Sequence, residues 1–322
     1  MTTPRRVSVI VPTRERPAML RNALASIRAL EGDDLTFEIL VGDNGKLPET
    51  RLVAEEFGAI YLTIKESGSS ASRNAGLRAA TSEYFTFLDD DDVWLPGHIR
   101  PHLAMLDAHP ELETIIGQVI YTDKDLKPLS PPFPEDSGTG DVLLRRMLGG
   151  FFPQVGTSVS RISVREKSGP FDLELFGGQD LDWLLRAARR RTMGFTPTTC
   201  LLFRGREPGT YDALNFKRIA FDRQVFLRHG LPEWRIFKSP LDFSQAYSGT
   251  LMHFYNYFVD AADVRAEKGQ RLAALKVLLI AWGIFPLRGT LHLMKKTQMQ
   301  HAFVSIMSPR PRAALSTATA EK

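Results

Sequence analysis

The sequence predicts an α/β fold, a doubly wound and mainly parallel sheet followed by a helical C-terminal appendage. Three observations predict it. Short apolar, β-branched runs alternate with segments of helical spacing through about residue 210. Polar motifs stand at the ends of successive strands, as they do where an open sheet gathers a ligand. Beyond Tyr211 the strand pattern stops and helical spacing takes over. The expected division is an α/β domain over 1–210 and a helical region over 211–322, with a disordered tail from about 308.

Taken in order, VSVIV (Val7 to Val11) is a continuous β-branched run, the pattern of a strand buried on both faces. It ends in PTRERP, where Pro17 suits a first helical turn, and Leu20, Ala23, Leu24, Ile27 and Leu30 recur at helical spacing. A second strand, Phe37 to Val41, ends in GDNG, and a helix near Pro48 to Phe57 leads to a strand at Ala59 to Ile64. SGSSASRNAG opens another helix. Tyr84 to Leu88 is the next strand, and four carboxylates, Asp89 to Asp92, follow it at once. A helix over Pro96 to His109, a strand over Glu113 to Tyr121 and a mobile Pro-rich loop over Lys127 to Gly140 come after. GGFFPQVGT is either a loop lining a pocket or a turn with its own small core. From Gln179 a helix starts behind Gly177 and Gly178, and Thr196 to Phe203 reads as a strand closed by RGREPGT.

At 322 residues the chain exceeds the usual single-domain size. Its 43% hydrophobic and 24% charged content is that of a globular protein. A net charge of +4 and a pI near 9.2 fit anionic partners but are too weak to argue for nucleic acid. The single Cys200 excludes an internal disulfide and a cysteine-rich zinc site, and fits a reducing compartment. Val7 to Val11 is too short for the apolar core of a signal peptide, so the expected location is cytoplasmic. Val277 to Leu287 is apolar but interrupted by Gly283 and Pro286. It either packs on the domain or lies on a membrane over 271–296, with Arg271, Lys276, Arg288, Lys295 and Lys296 near anionic headgroups.

The chemistry concentrates at the strand ends. Neighbouring carboxylates about 5 Å apart repel by about 3 kcal/mol per pair at an effective dielectric near 20. A divalent cation relieves that repulsion, and Mg²⁺ typically takes one or two carboxylates plus substrate phosphates. The other reading of Asp89 to Asp92 is a solvated acidic loop. Asp180 falls in the first turn of its helix, where the helix dipole alone would also favour an aspartate.

The ordered set VSVIVPTRERP, GDNG, SASRNAG, FLDDDDVWLP and GPFDLELFGGQD resembles the family 2 glycosyltransferases, over roughly Val7 to Gly209. The resemblance implies the Rossmann-like GT-A fold and metal-dependent inverting transfer of a sugar from a nucleotide-sugar to a hydroxyl acceptor. A uridine diphosphate sugar is the expected donor, Mg²⁺ or Mn²⁺ the expected cofactor, and a glycan or lipid-linked molecule the expected acceptor. The expected setting is bacterial surface polysaccharide or glycolipid assembly, on the inner face of the cell membrane.

By position, the resemblance puts Pro12, Thr13 and Glu15 at the nucleotide, Asp43 at the base and Arg73 at the donor, where a planar fork suits phosphate. The aspartate run resembles the family's DxD motif. Asp89 and Asp91 are the spaced pair, with Asp90 at the donor and Asp92 at the metal or ribose. Asp180 matches the catalytic base. Two departures stand out. Gln179 replaces the glutamate usual before that aspartate, and the RGREPGT loop lacks the histidine many members carry, leaving Arg204 and Arg206 to face the phosphates. Two rivals remain. One is a degenerate nucleotide-sugar-binding or membrane scaffold protein without turnover, which Gln179 favours. The other is a haloacid dehalogenase-type phosphatase, since Asp89 to Val93 also fits DxDxV, although that family carries its aspartate on the first strand.

Overall fold

The computed structural model describes residues 4–205, 212–295 and 297–307, so the expectations for Arg206, Lys296 and the tail from 308 lie outside the described residues. The N-terminal half alternates as expected: β1 (Arg5–Thr13), α1 (Pro17–Arg28), β2 (Leu35–Asp43), α2 (Pro48–Glu56), β3 (Ile60–Thr63), α3 (Ser69–Ala79) and β4 (Tyr84–Phe87). Then come β5 (Val93–Trp94), α4 (Arg100–Ala108), β6 (Thr114–Thr122), α5 (Gly140–Leu148), β7 (Ser158–Arg161), α6 (Val164–Ser168), α7 (Gln179–Ala188) and β8 (Met193–Arg204). The C-terminal region is helical: α8 (Asp212–Gly230), α9 (Pro240–Glu267), α10 (Arg271–Ile284), α11 (Pro286–Met294) and α12 (Gln298–Met307).

The strands form one sheet in the order β3-β2-β1-β4-β7-β6-β8-β5. β1 pairs in parallel with β2 over their whole length, from Arg5 opposite Leu35 to Thr13 opposite Asp43, and with β4 on its other side. That register brings the PTRE, GDNG and DDDD segments to one edge. The second half of the sheet departs from simple parallel winding. β7 runs antiparallel between β4 and β6, and β5 antiparallel to β8, while β6 and β8 are parallel. The helix expected from Pro96 begins at Arg100, because Ile99 takes a left-handed backbone, φ 70°, that an α-helix does not admit.

Why β1 is apolar throughout follows from its two covered faces. Val7, Val9 and Val11 point to one side, onto Leu20, Leu24 and Ile27 of α1. Ile10 points to the other, into a core with Phe85, Phe87 and the α7 residues Trp183 and Leu184. That second core continues into the C-terminal helices through Val225, Phe226, Phe237 and Ala246. A third cluster joins α9 to α10 and α12 around Phe254, Phe258 and Leu278. The described residues include no helix long and apolar enough to cross a membrane.

Candidate active site

A cleft of about 820 Å³ opens over the ends of β1 and β4 and is closed on the far side by α8 and α9. Its near wall carries Pro12 and Thr13 from β1, Arg73 from α3, and Asp89, Asp90 and Asp91 from the turn after β4. The turn carries its carboxylates in different directions. Asp90 is buried and accepts a hydrogen bond from Thr13 Oγ1 at 2.7 Å, and Arg16 reaches both Asp90 at 3.3 Å and Asp91 at 3.0 Å. Burial pushes the Asp90 carboxyl up to about 6, against the pull of the Thr13 hydroxyl.

Asp89, Asp91 and Asp92 each present an oxygen within 4.8 Å of the others. The set is all carboxylate oxygen, with neither nitrogen nor sulfur, which suits a hard divalent cation such as Mg²⁺ or Mn²⁺. β8 braces this cluster: the Arg204 backbone N–H donates to Asp92 Oδ1 at 2.9 Å and its Nε to the Asp91 carbonyl at 2.7 Å. The resemblance-based expectation that Arg204 faces phosphate therefore meets a side chain already engaged with the aspartate turn, although it still lines the cleft.

Arg73 ties the two halves of the site together. It is 2% exposed, and its two terminal nitrogens fork to Asp89 Oδ1 at 2.5 Å and to Asp180 Oδ1. Asp180 sits in the first turn of α7. Gly178 directly before that helix has φ 67°, a conformation that favours glycine, and a Cβ there would meet Asp222 Oδ1 at 2.7 Å. Burial raises the proton affinity of the Asp180 carboxyl and the charge of Asp89 adds to it, while Arg73 and Arg218 pull the other way. Gln179 also lines the cleft and donates from Nε2 to Ser69 Oγ at 3.2 Å.

Glu15, Asp43 and Asp92 are not on the cleft wall. Asp43 is 1% exposed, and both its oxygens are used, one by the Gly45 N–H at 2.7 Å and one by the Tyr61 hydroxyl at 2.8 Å. Its neighbour Asn44 faces the cleft instead. Glu15 has a left-handed backbone, φ 56°, beside Gly45. Of the two readings of GGFFPQVGT, the structure has the lining loop, with Gly150, Phe151, Phe152 and Gln154 on the cleft. Sequence reasoning passed over Arg16 and the whole far wall, where Asn215, Arg218, Asp222, His253 and Tyr257 stand. The spacing of Arg218 and Asp222, one helical turn apart, was the only local signal for it.

Residues 8–150 match the model of glycosyl transferase family 2. Over those residues the chain is similar to that family. Among the relatives of this glycosyltransferase is GalNAc(5)-diNAcBac-PP-undecaprenol beta-1,3-glucosyltransferase of Campylobacter jejuni, 28% identical over 189 residues. The match covers 56% of this chain and 59% of that relative, so less than two thirds of the relative is spanned. Its fold matches that of S. aureus TarS residues 1–349 in complex with UDP-GlcNAc, with a TM-score of 0.57 and 15% identity, over 94% of this chain and 88% of that one. It also matches the mannosyltransferase PcManGT of Pyrobaculum calidifontis, in complex with GDP-Man and Mn²⁺, at 0.51 and 17%, over 95% and 87%. At such identities the likeness is one of fold, and the fold is GT-A.

Proposed function

We propose that this glycosyltransferase moves a sugar, with inversion, from a nucleoside-diphosphate sugar to a hydroxyl of a lipid-linked glycan in surface polysaccharide or glycolipid assembly. The observation that carries the reading is the Arg73 fork, which sets the candidate base Asp180 beside the Asp89–Asp92 cluster. In this reading Asp180 takes the proton of the acceptor hydroxyl as that oxygen bonds to the anomeric carbon. The bond from that carbon to the diphosphate oxygen breaks, and its electron pair leaves with the nucleotide. A carboxylate raised above its ordinary proton affinity by burial is the better acceptor for that proton.

Asp89, Asp91 and Asp92 would hold Mg²⁺ or Mn²⁺, which when bound neutralises charge on the leaving diphosphate. Pro12, Thr13 and Asn44 border the nucleotide end, and Arg73 and Arg16 add cationic charge around the carboxylates. Glu15 and Asp43 would act from behind the wall, Glu15 by packing on Gly45 and Asp43 by holding the Gly45 N–H and the Tyr61 hydroxyl of β3, rather than by touching the base. Uridine diphosphate is the first donor to try, because TarS holds UDP-GlcNAc, and guanosine diphosphate the second, after PcManGT. The lipid-linked acceptor follows the Campylobacter relative's undecaprenol substrate.

Thermal shift of the purified chain against nucleotide-sugars, with and without Mn²⁺ or Mg²⁺, tests the donor half. A ligand at a hundredfold excess over its Kd adds about 2.7 kcal/mol to native stability. A shift that needs the metal and one nucleotide class is the expected result. No shift with any donor in either metal would overturn the assignment of this cleft as a donor site.

A further inference from the structure

The C-terminal helices have an outer surface that the catalytic reading does not use. From Arg271 to Met307 the chain has no aspartate or glutamate, although 37 acidic residues in 322 would place about four in such a span. Its described cations include Lys276, Arg288 and Lys295. The apolar residues divide between two faces. In α10, Ala274, Val277, Leu278 and Ala281 face the α9 core, while Leu272, Leu279 and Trp282 are exposed. In α11, Leu287, Leu291 and Met294 recur at i, i+4 and i+7 and are 78%, 44% and 77% exposed. That is one helical stripe turned to solvent, flanked by Arg288 on the same helix and by Lys295 directly after its end.

Two occupants could cover such a stripe, a lipid surface or a second copy of the chain. A two-fold contact between copies sets the same patch against itself, so the cations of one would meet the cations of the other with no carboxylate in the span to answer them. An anionic headgroup layer answers both features, because it takes apolar side chains at the acyl boundary and cations at the phosphates. We infer that α10 and α11 lie on an anionic membrane surface, with Leu279, Leu287, Leu291 and Met294 inserted and Lys276, Arg288 and Lys295 at headgroup phosphates. The inference does not depend on the reaction, and it concerns a face formed by different residues from those of the cleft.

Co-sedimentation of the full chain with vesicles of phosphatidylglycerol and phosphatidylcholine, against vesicles of phosphatidylcholine alone, tests it. The expected result is binding to the anionic vesicles that weakens with salt and is far weaker on the neutral ones. K276Q/R288Q/K295Q should lower the anionic partition about 100-fold, near fivefold per charge removed. L287S/L291S, at exposed positions that leave the core intact, should lower it independently, with the thermal melt of both variants unchanged. Three results would overturn the inference: no vesicle binding, equal binding to both vesicle types, or a concentration-dependent dimer that L287S/L291S dissolves in place of vesicle binding.

Discussion

Arg73→Met removes the charge that Asp89 and Asp180 share while keeping most of the side-chain volume. Breaking a buried ion pair by deleting one partner costs about 3–5 kcal/mol, because the other charge stays behind uncompensated. Here the guanidinium is 2% exposed but its partners are 33% and 22% exposed. Water can therefore reach the orphaned carboxylates, which sets the expected loss at the lower end, about 3 kcal/mol. Urea unfolding followed by tryptophan fluorescence reads it directly, and in a thermal melt of this 322-residue chain the loss would appear as a fall of about 4–5 °C. The double variant Arg73→Met/Asp180→Asn should recover 1 kcal/mol or more of about 3, since it removes one of the stranded charges. A loss below about 1 kcal/mol, or strict additivity in the double variant, would refute the view that Arg73 is the electrostatic link between Asp180 and the aspartate turn.

Three further outcomes are expected. Asp180→Asn should lower kcat by about 10²–10⁴ while the donor thermal shift persists, and a variant with full transfer rate would remove Asp180 from its role as base. Asp91→Ala should abolish the metal-dependent part of the donor shift and leave the unliganded melt nearly unchanged, as read in titrations with Mn²⁺ and EDTA. Asp222 is 3% exposed, its Oδ1 has no hydrogen-bond partner among the described residues, and burial pushes its carboxyl from 3.8 up to about 6. The folded state therefore keeps a proton that the unfolded chain releases, so this group favours folding less and less as pH rises from about 4 to about 6. Asp222→Asn should gain stability over the native chain across that window, reaching about 3 kcal/mol and then levelling off, as measured by urea unfolding at several pH values.

The near wall of the site was legible because each of its parts is local. VSVIV and Tyr84 to Leu88 read as strands from composition alone, and in a parallel sheet their ends must lie on one edge whatever happens elsewhere. Arg73 and Asp180 were placed by resemblance. Their direct contact joins residues 107 apart in sequence, and no periodicity carries that information. β7 escaped notice since Ser158–Arg161 is short and polar, held by its neighbours β4 and β6 rather than by any propensity of its own. α5 was hidden behind the Pro-rich loop that precedes it. The far wall was illegible for a different reason. Arg218 and Asp222 look like any solvated helix face until the fold turns α8 onto Gly177 and Gly178.

Near the mouth of the cleft, α9 crosses the end of α5 at backbone distance. A Cβ on Gly249 would collide with the Gly149 carbonyl, one on Gly150 would collide with the Gly249 carbonyl, and Thr250 Oγ1 donates to the Leu148 carbonyl at 2.9 Å. The two segments are about one hundred residues apart, and the crossing has room only for glycine at 249 and 150. A chimera that exchanged only the C-terminal helices, joined after β8, and carried any side chain at position 249 would press on the Gly149 carbonyl, beside the cleft-lining Phe151 and Phe152. The C-terminal helices are thus sterically coupled to residues 149–150, and an exchange that respects the crossing has to carry both pieces.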